Sequence, residues 1–241
     1  MKIKIDFADL ELNRLQDMAD AGRQIEECYR LLRKAGANVV GRILETGGTF
    51  YEYDHYPDGD IFDDETHSQY YYHAHRGAAG EHGHFHTFLR AGGIADGVEP
   101  LPYDGEEEMP TGDDAIAHLI AISMNRPGYP IGLFTVNRWV TGESFYSADD
   151  TIAMLDGFKI DHTYPCLAAN LWVSAMIRLF RPQIEVLLHE RDRVIAAHAA
   201  KKPDEDAYAD RDLELTSVAT INVSQQIKAV DRALKAKQRA A

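Results

Sequence analysis

From Leu10 to Leu32 the apolar residues Leu10, Leu12, Leu15, Met18, Ile25, Cys28, Leu31 and Leu32 return at three- and four-residue intervals, the spacing that sets them on one stripe of an amphipathic helix. Gly36 is placed to stop that helix. Val39 to Tyr53 is rich in β-branched and aromatic residues and predicts a strand, followed by a turn at Pro57-Asp58-Gly59. Gln69–His75 and His82–Arg90 predict two further strands. The segment between them, Arg76-Gly77-Ala78-Ala79-Gly80-Glu81, carries the glycines that a tight reversal needs. Ala117–Met124 and Ile131–Val140 predict another pair, joined across Asn125-Arg126-Pro127-Gly128. These four runs form an antiparallel meander.

Helical patterns occupy most of the rest. Ser147 and the acidic residues after it cap a short helix over Thr151–Phe158. A longer helical region runs from about Cys166 to Ala200, and Pro182 must kink or divide it because proline removes a backbone donor and crowds the preceding turn. Asp212–Val223 reads equally as extended chain or helix. Asn222-Val-Ser-Gln225 caps a last helix carrying Ile227, Val230 and Leu234. Residues 91–114 are Gly-, Pro- and acid-rich without an apolar period, as a surface excursion is. The expectation is an α+β fold: an antiparallel meander of about four to five strands packed against N-terminal and C-terminal helices, with residues 1–241 as a single domain.

Composition narrows the function classes. With 241 residues, 45% of them hydrophobic, the chain can bury a sizeable core. No apolar run approaches the roughly 18 residues that span a bilayer, and the charged start Met1-Lys-Ile-Lys-Ile-Asp6 lacks the apolar centre of a signal peptide. A cytoplasmic location without membrane attachment is expected. Cys28 and Cys166 are the only cysteines. They lie far apart in helical patterns and read as buried free thiols rather than a disulfide framework. A net charge of −14 would repel phosphate backbones, which argues against nucleic acid as a partner.

The chemistry concentrates in histidine. Seven of the 11 histidines, His55, His67, His73, His75, His82, His84 and His86, fall in one short stretch, and five alternate within two predicted strands. Residues two apart on a strand share a face. If His73 opposes His84, and His75 opposes His82, all five imidazoles look the same way, while Tyr70, Tyr72, Ala74, Phe85 and Leu89 cover the other side. A slip of one residue would separate the two sets. Imidazole is a common ligand for divalent transition metals, zinc and iron foremost. His82 and His86 would stand about 13 Å apart on one strand, so an ion needs two residues of one strand and one from across it. His84 with His73 or His75 forms the expected centre, completed by His82 or His86. The competing reading is a hydrogen-bonded histidine face without an ion.

Other groups qualify that picture. Glu81 stands at the hairpin mouth and is the candidate general base. Asp54 and His55, in the acidic stretch to Asp64, can reach the expected cleft, although that stretch lacks the spacing of an EF-hand calcium loop. His118 is either a further ligand or a satisfied core histidine. Thr135, Asn137 and Trp139 alternate with apolar neighbours and are expected to line the cleft, whereas Arg138 calls for a structural partner. Asp161-His162 resembles a carboxylate-oriented imidazole, although neighbouring residues often point apart. Ser144 and Ser174 lack a nucleophile context.

The strings Asp54-His-Tyr-Pro-x-Gly-Asp60, Ser68-Gln-Tyr-Tyr-Tyr-His-Ala-His75, Glu81-His-Gly-His-Phe-His-Thr-Phe-Leu-Arg90, Asn137-Arg-Trp-Val-Thr-Gly-Glu143 and Leu179-Phe-Arg-Pro-Gln-Ile184 resemble an uncharacterised bacterial family of unknown function. The resemblance extends over most of the chain and implies one unit; it brings no activity with it. From the residues, the leading expectation is a metal-binding protein, a metal-dependent hydrolase or oxygenase acting on a small molecule. A non-catalytic metal-handling protein and a metal-free small-molecule-binding module are the alternatives.

Overall fold

A computed structural model describes residues 3–75 and 80–240; most of the expected hairpin loop, residues 76–79, lies outside the described residues. The stripe predicted from Leu10 folds as α1, Leu12–Lys34, which buries Leu15, Met18, Ile25, Cys28 and Leu32. Gly36 follows with φ +67°, the left-handed geometry that ends helices at little cost only for glycine. The strand expected over 39–53 does not form. Asn38 accepts a hydrogen bond from the Gly41 backbone N–H at 2.8 Å and caps a short helix, α2, Val39–Leu44, that buries Val39, Val40 and Ile43. A side-chain cap and a one-sided apolar set here outweigh β propensity.

Among the described residues six strands make one sheet in strict sequence order, each antiparallel to the next: β1 Tyr56–Phe62, β2 Ser68–His73, β3 Gly83–Arg90, β4 Ile116–Met124, β5 Pro130–Val136 and β6 Leu215–Thr220. The α+β meander is as expected, with six strands instead of four to five. Both extra strands came from segments with weak strand signals. Pro57-Asp58-Gly59 lies inside β1, where positive φ at Gly59 and Asp60 makes an irregularity between Tyr56 and Ile61 instead of a chain reversal. Edge strands tolerate this.

One face of the sheet packs on helices. Tyr70, Tyr72, Phe85, Leu89, Ile120, Ile122 and Leu133 join residues of α1 and of α5, Leu167–Leu179, in the main core. Within that core Phe85 lies 5.8 Å from the Trp172 ring, and the Tyr70 hydroxyl donates to Asn170 Oδ1 at 2.6 Å. The long C-terminal helical region divides as expected: α5 ends at Leu179, and α6, Arg181–Lys201, begins with Pro182 in its first turn. There the missing N–H costs nothing. Short helices α3, Arg138–Thr141, and α4, Ala148–Met154, precede this pair, and α7, Val223–Ala240, closes the chain.

The second face carries a smaller apolar cluster of Ala121, Phe134 and Val136 beside the histidines. The acidic excursion is tied down on residues 138–145. Leu101 N–H donates to Phe145 O at 2.7 Å, Ser144 Oγ donates to Pro110 O at 2.6 Å, and Arg138 donates to Glu108 O at 2.5 Å. Among the described residues no helix is long and apolar enough to cross a membrane. Cys28 is buried, but Cys166, expected buried as well, is half-exposed at the start of α5.

Candidate metal centre

The β2–β3 ladder sets His73 directly opposite His84 and Tyr71 opposite His86. Opposed residues in an antiparallel pair share a face, so His73, His84 and His86 gather on the side away from α1 and α5. His75, just past the end of β2, joins them. Ring centroids stand 4.5 Å apart for His73–His84, 4.8 Å for His73–His75, 5.2 Å for His75–His84 and 4.9 Å for His84–His86. His73, His75 and His84 each offer one ring nitrogen, all within 4.8 Å of one another, a group that could hold a metal ion. His84 and His86 are each 1% exposed and His73 8%; His75 is the most accessible of the four. The site is therefore enclosed, not the open cleft that was expected.

Two hydrogen bonds orient the β3 histidines. Glu81 Oε1 lies 2.7 Å from His84 Nδ1, with both side chains nearly sealed from solvent. His86 Nδ1 lies 2.9 Å from His118 Nε2. An imidazole held at Nδ1 presents Nε2 on its far side. Behind His118, its backbone N–H donates to Glu143 Oε2 at 2.6 Å, and Thr141 donates to the other oxygen at 3.1 Å. Burial pushes the Glu143 carboxyl up to about 7, partly offset by Arg191, the His118 N–H, Thr141 and Arg138. Burial also holds the His118 imidazole down at about 3, with Arg191 and His84 adding to the effect.

Of the expected site residues, His82 stands apart. Its ring packs on Tyr72 and Phe50, and its Nδ1 meets the Tyr72 hydroxyl at 2.6 Å. Tyr72 belongs to the helix-facing core, so His82 leaves the face of His84. Gly83 makes this possible: a Cβ there would stand 2.5 Å from both the Tyr72 hydroxyl and the His73 carbonyl oxygen. His55 does approach the cluster, lying flat on Tyr71 at 3.6 Å and edge-on to His73 at 5.5 Å. Asp54 lines a neighbouring hollow with Thr49 and Tyr51.

The alternation proposed for β5 is reversed. Ala121 pairs with Phe134 and with His86, so Phe134 is on the histidine face, 5.1 Å from the His84 ring. Thr135 turns the other way, to Thr216 and Ser217. The strand ends at Val136. Asn137 caps α3 and donates to Ala207 O at 2.8 Å, and the Trp139 indole donates to Leu213 O at 3.0 Å. Both brace the 207–213 segment and do not line the site. Asp161 pairs with Lys159, while His162 meets Phe62 O at 3.1 Å, so the two neighbours point apart. Arg138 has the structural partners expected of it, Glu107 and Glu108.

Tyr53, Phe134, Glu143, Gln69 and Arg90 also stand at or beside the site without a sequence signal that marks them for it. Tyr53, at φ +71°, stacks on His75 at 5.4 Å from a segment without periodic signal. Glu143 ends one of the strings quoted above, but nothing in its spacing announces a buried carboxylate.

Residues 19–221 match the family described as a domain of unknown function (DUF6969). The chain belongs to that family, and the matched span contains every histidine of the cluster. No curated protein and no solved structure matches the chain.

Proposed function

We propose that this protein binds one divalent transition metal, zinc or iron, through His73, His75 and His84, and uses it to act on a small molecule. The observation that carries this reading is the convergence of three imidazole nitrogens, from two strands, within 4.8 Å. A bound zinc ion would supply activated water for hydrolysis, and iron(II) would supply oxygen chemistry. Three histidines leave an ion a position for water or a substrate, as catalytic sites require and closed structural sites do not. His86, held in orientation by His118, stands beside the set with its ring 4.9 Å from that of His84. Glu81 acts through His84 as a positioning group, rather than as the general base expected from its place at the hairpin mouth. His75, the most accessible of the three, marks the side from which a ligand enters, beside Tyr53.

Elemental analysis of protein purified without an affinity tag tests the reading. One equivalent of zinc or iron per chain, removable by chelator, is the expected result. Protein that is folded and free of stoichiometric metal, and takes up none on addition of zinc or iron(II), would overturn it.

A further inference from the structure

Arg90 stands out among the arginines. In a chain with 39 acidic against 25 basic residues, every other buried or half-buried arginine among the described residues has a carboxylate partner: Arg14, Arg42, Arg138, Arg178, Arg181 and Arg191. Half-buried Arg90 has none. Its Nε donates to Gln69 Oε1 and its guanidinium lies 5.8 Å from the Phe62 ring centre, while the two terminal nitrogens have no hydrogen-bond partner among the described residues. It lines a cleft of about 640 Å³ with His55, Asp58, Asp60, Phe62 and Gln69.

The walls hold the arginine in place without neutralising it. Gln69, 7% exposed, passes its amide N–H to Asp60 Oδ2 at 2.7 Å, and Asp60 Oδ1 meets His55 Nδ1 at 3.1 Å. Asp60 is thus bonded to Gln69 and His55. A planar guanidinium fork fixed at Nε leaves its outer edge for a bidentate anion.

We propose that this cleft binds a small organic carboxylate, with Arg90 as its anchor. Asp58 and Asp60 in the lining disfavour a dianion such as phosphate. Phe62 and the His55 ring supply flat faces, so an aromatic carboxylate fits best. Because His55 also touches the wall of Tyr71 and His73, a molecule bound here abuts the histidine cluster. The carboxylate site itself does not depend on a metal being bound there.

Calorimetric titration of the full chain with benzoate, with and without chelator and with inorganic phosphate as the comparison anion, is the test. Saturable benzoate binding, tighter than phosphate, is expected under both conditions. Replacing the fork should weaken it by about tenfold or more in Arg90→Gln, and by less in Arg90→Lys, which keeps charge without bidentate geometry. Because binding is expected with chelator present, failure of the metal reading would leave this result standing. Absence of benzoate binding, tighter binding of phosphate, or undiminished benzoate affinity in a folded Arg90→Gln or Arg90→Lys variant would each overturn the assignment.

Discussion

A histidine that ligates through one ring nitrogen depends on whatever holds the other, because that partner fixes both tautomer and ring orientation. For His84 the partner is Glu81, 2.7 Å from Nδ1. Glu81→Ala should therefore lower metal affinity by about 10- to 100-fold, and Glu81→Gln, whose amide oxygen can still accept from Nδ1–H, should recover much of the loss. Competition against a chromogenic chelator reads both; equal affinity in wild type and Glu81→Ala would count against the orienting role. Glu143 and His118 make a second prediction. Burial raises Glu143 from 4.5 to about 7, so it contributes stability below its unfolded value that is lost as pH rises through 7. His118, lowered from 6.5 to about 3, contributes stability above its unfolded value that is lost as pH falls toward 3. Each slope is on the order of 1 kcal/mol per pH unit, and between 4.5 and 6.5 the two oppose each other. Glu143→Gln should thus remove the decline on the alkaline side and leave the acid-side decline in place. Denaturant melts across pH in which the variant and wild type run parallel would refute this.

The decisive element is the β2–β3 ladder. Alternating histidines at 73, 75, 84 and 86 made the facing of these residues legible, because period two and an aromatic opposite face admit few registers. His82 follows the same alternation in sequence but leaves the face in space, since Gly83 lets the Tyr72 phenol cross the strand and capture its ring. Gly83→Ala should push a methyl group against the His73 carbonyl oxygen and Tyr72, costing about 1–3 kcal/mol as overpacked positions do and weakening metal binding with it. Urea denaturation unchanged by this substitution would mean the close approach is absent. Segments whose capping or bulge chemistry defeats simple patterning were less legible. Val39–Leu44 reads as strand until Asn38 is seen as a cap, Pro57-Asp58-Gly59 reads as turn until Gly59 and Asp60 are seen in a bulged edge strand, and Asn137 ends β5 where polar alternation suggested it continued.

At the scale of the molecule, a six-stranded meander gives one face to the helices and the other to a buried histidine cluster flanked by Phe134. The α+β class and the terminal helices could be read from periodicity, since each helix carries its own apolar stripe. The faces of β5 could not, because they are set by pairing with β4 across a turn. Burying several imidazoles together desolvates polar rings, and an ion shared among them repays part of that cost while binding only the folded state. Stability should then rise with metal by mass action, by about 3 kcal/mol when free metal exceeds its dissociation constant a hundredfold. The most direct test of the metal centre compares His84→Ala with His189→Ala, the latter on the exposed side of α6, in melts with and without chelator and by elemental analysis. Wild type and His189→Ala should show a metal-dependent rise of several degrees, and His84→Ala should lose both bound metal and that rise. Equal metal content and equal thermal shifts in the two variants would contradict it.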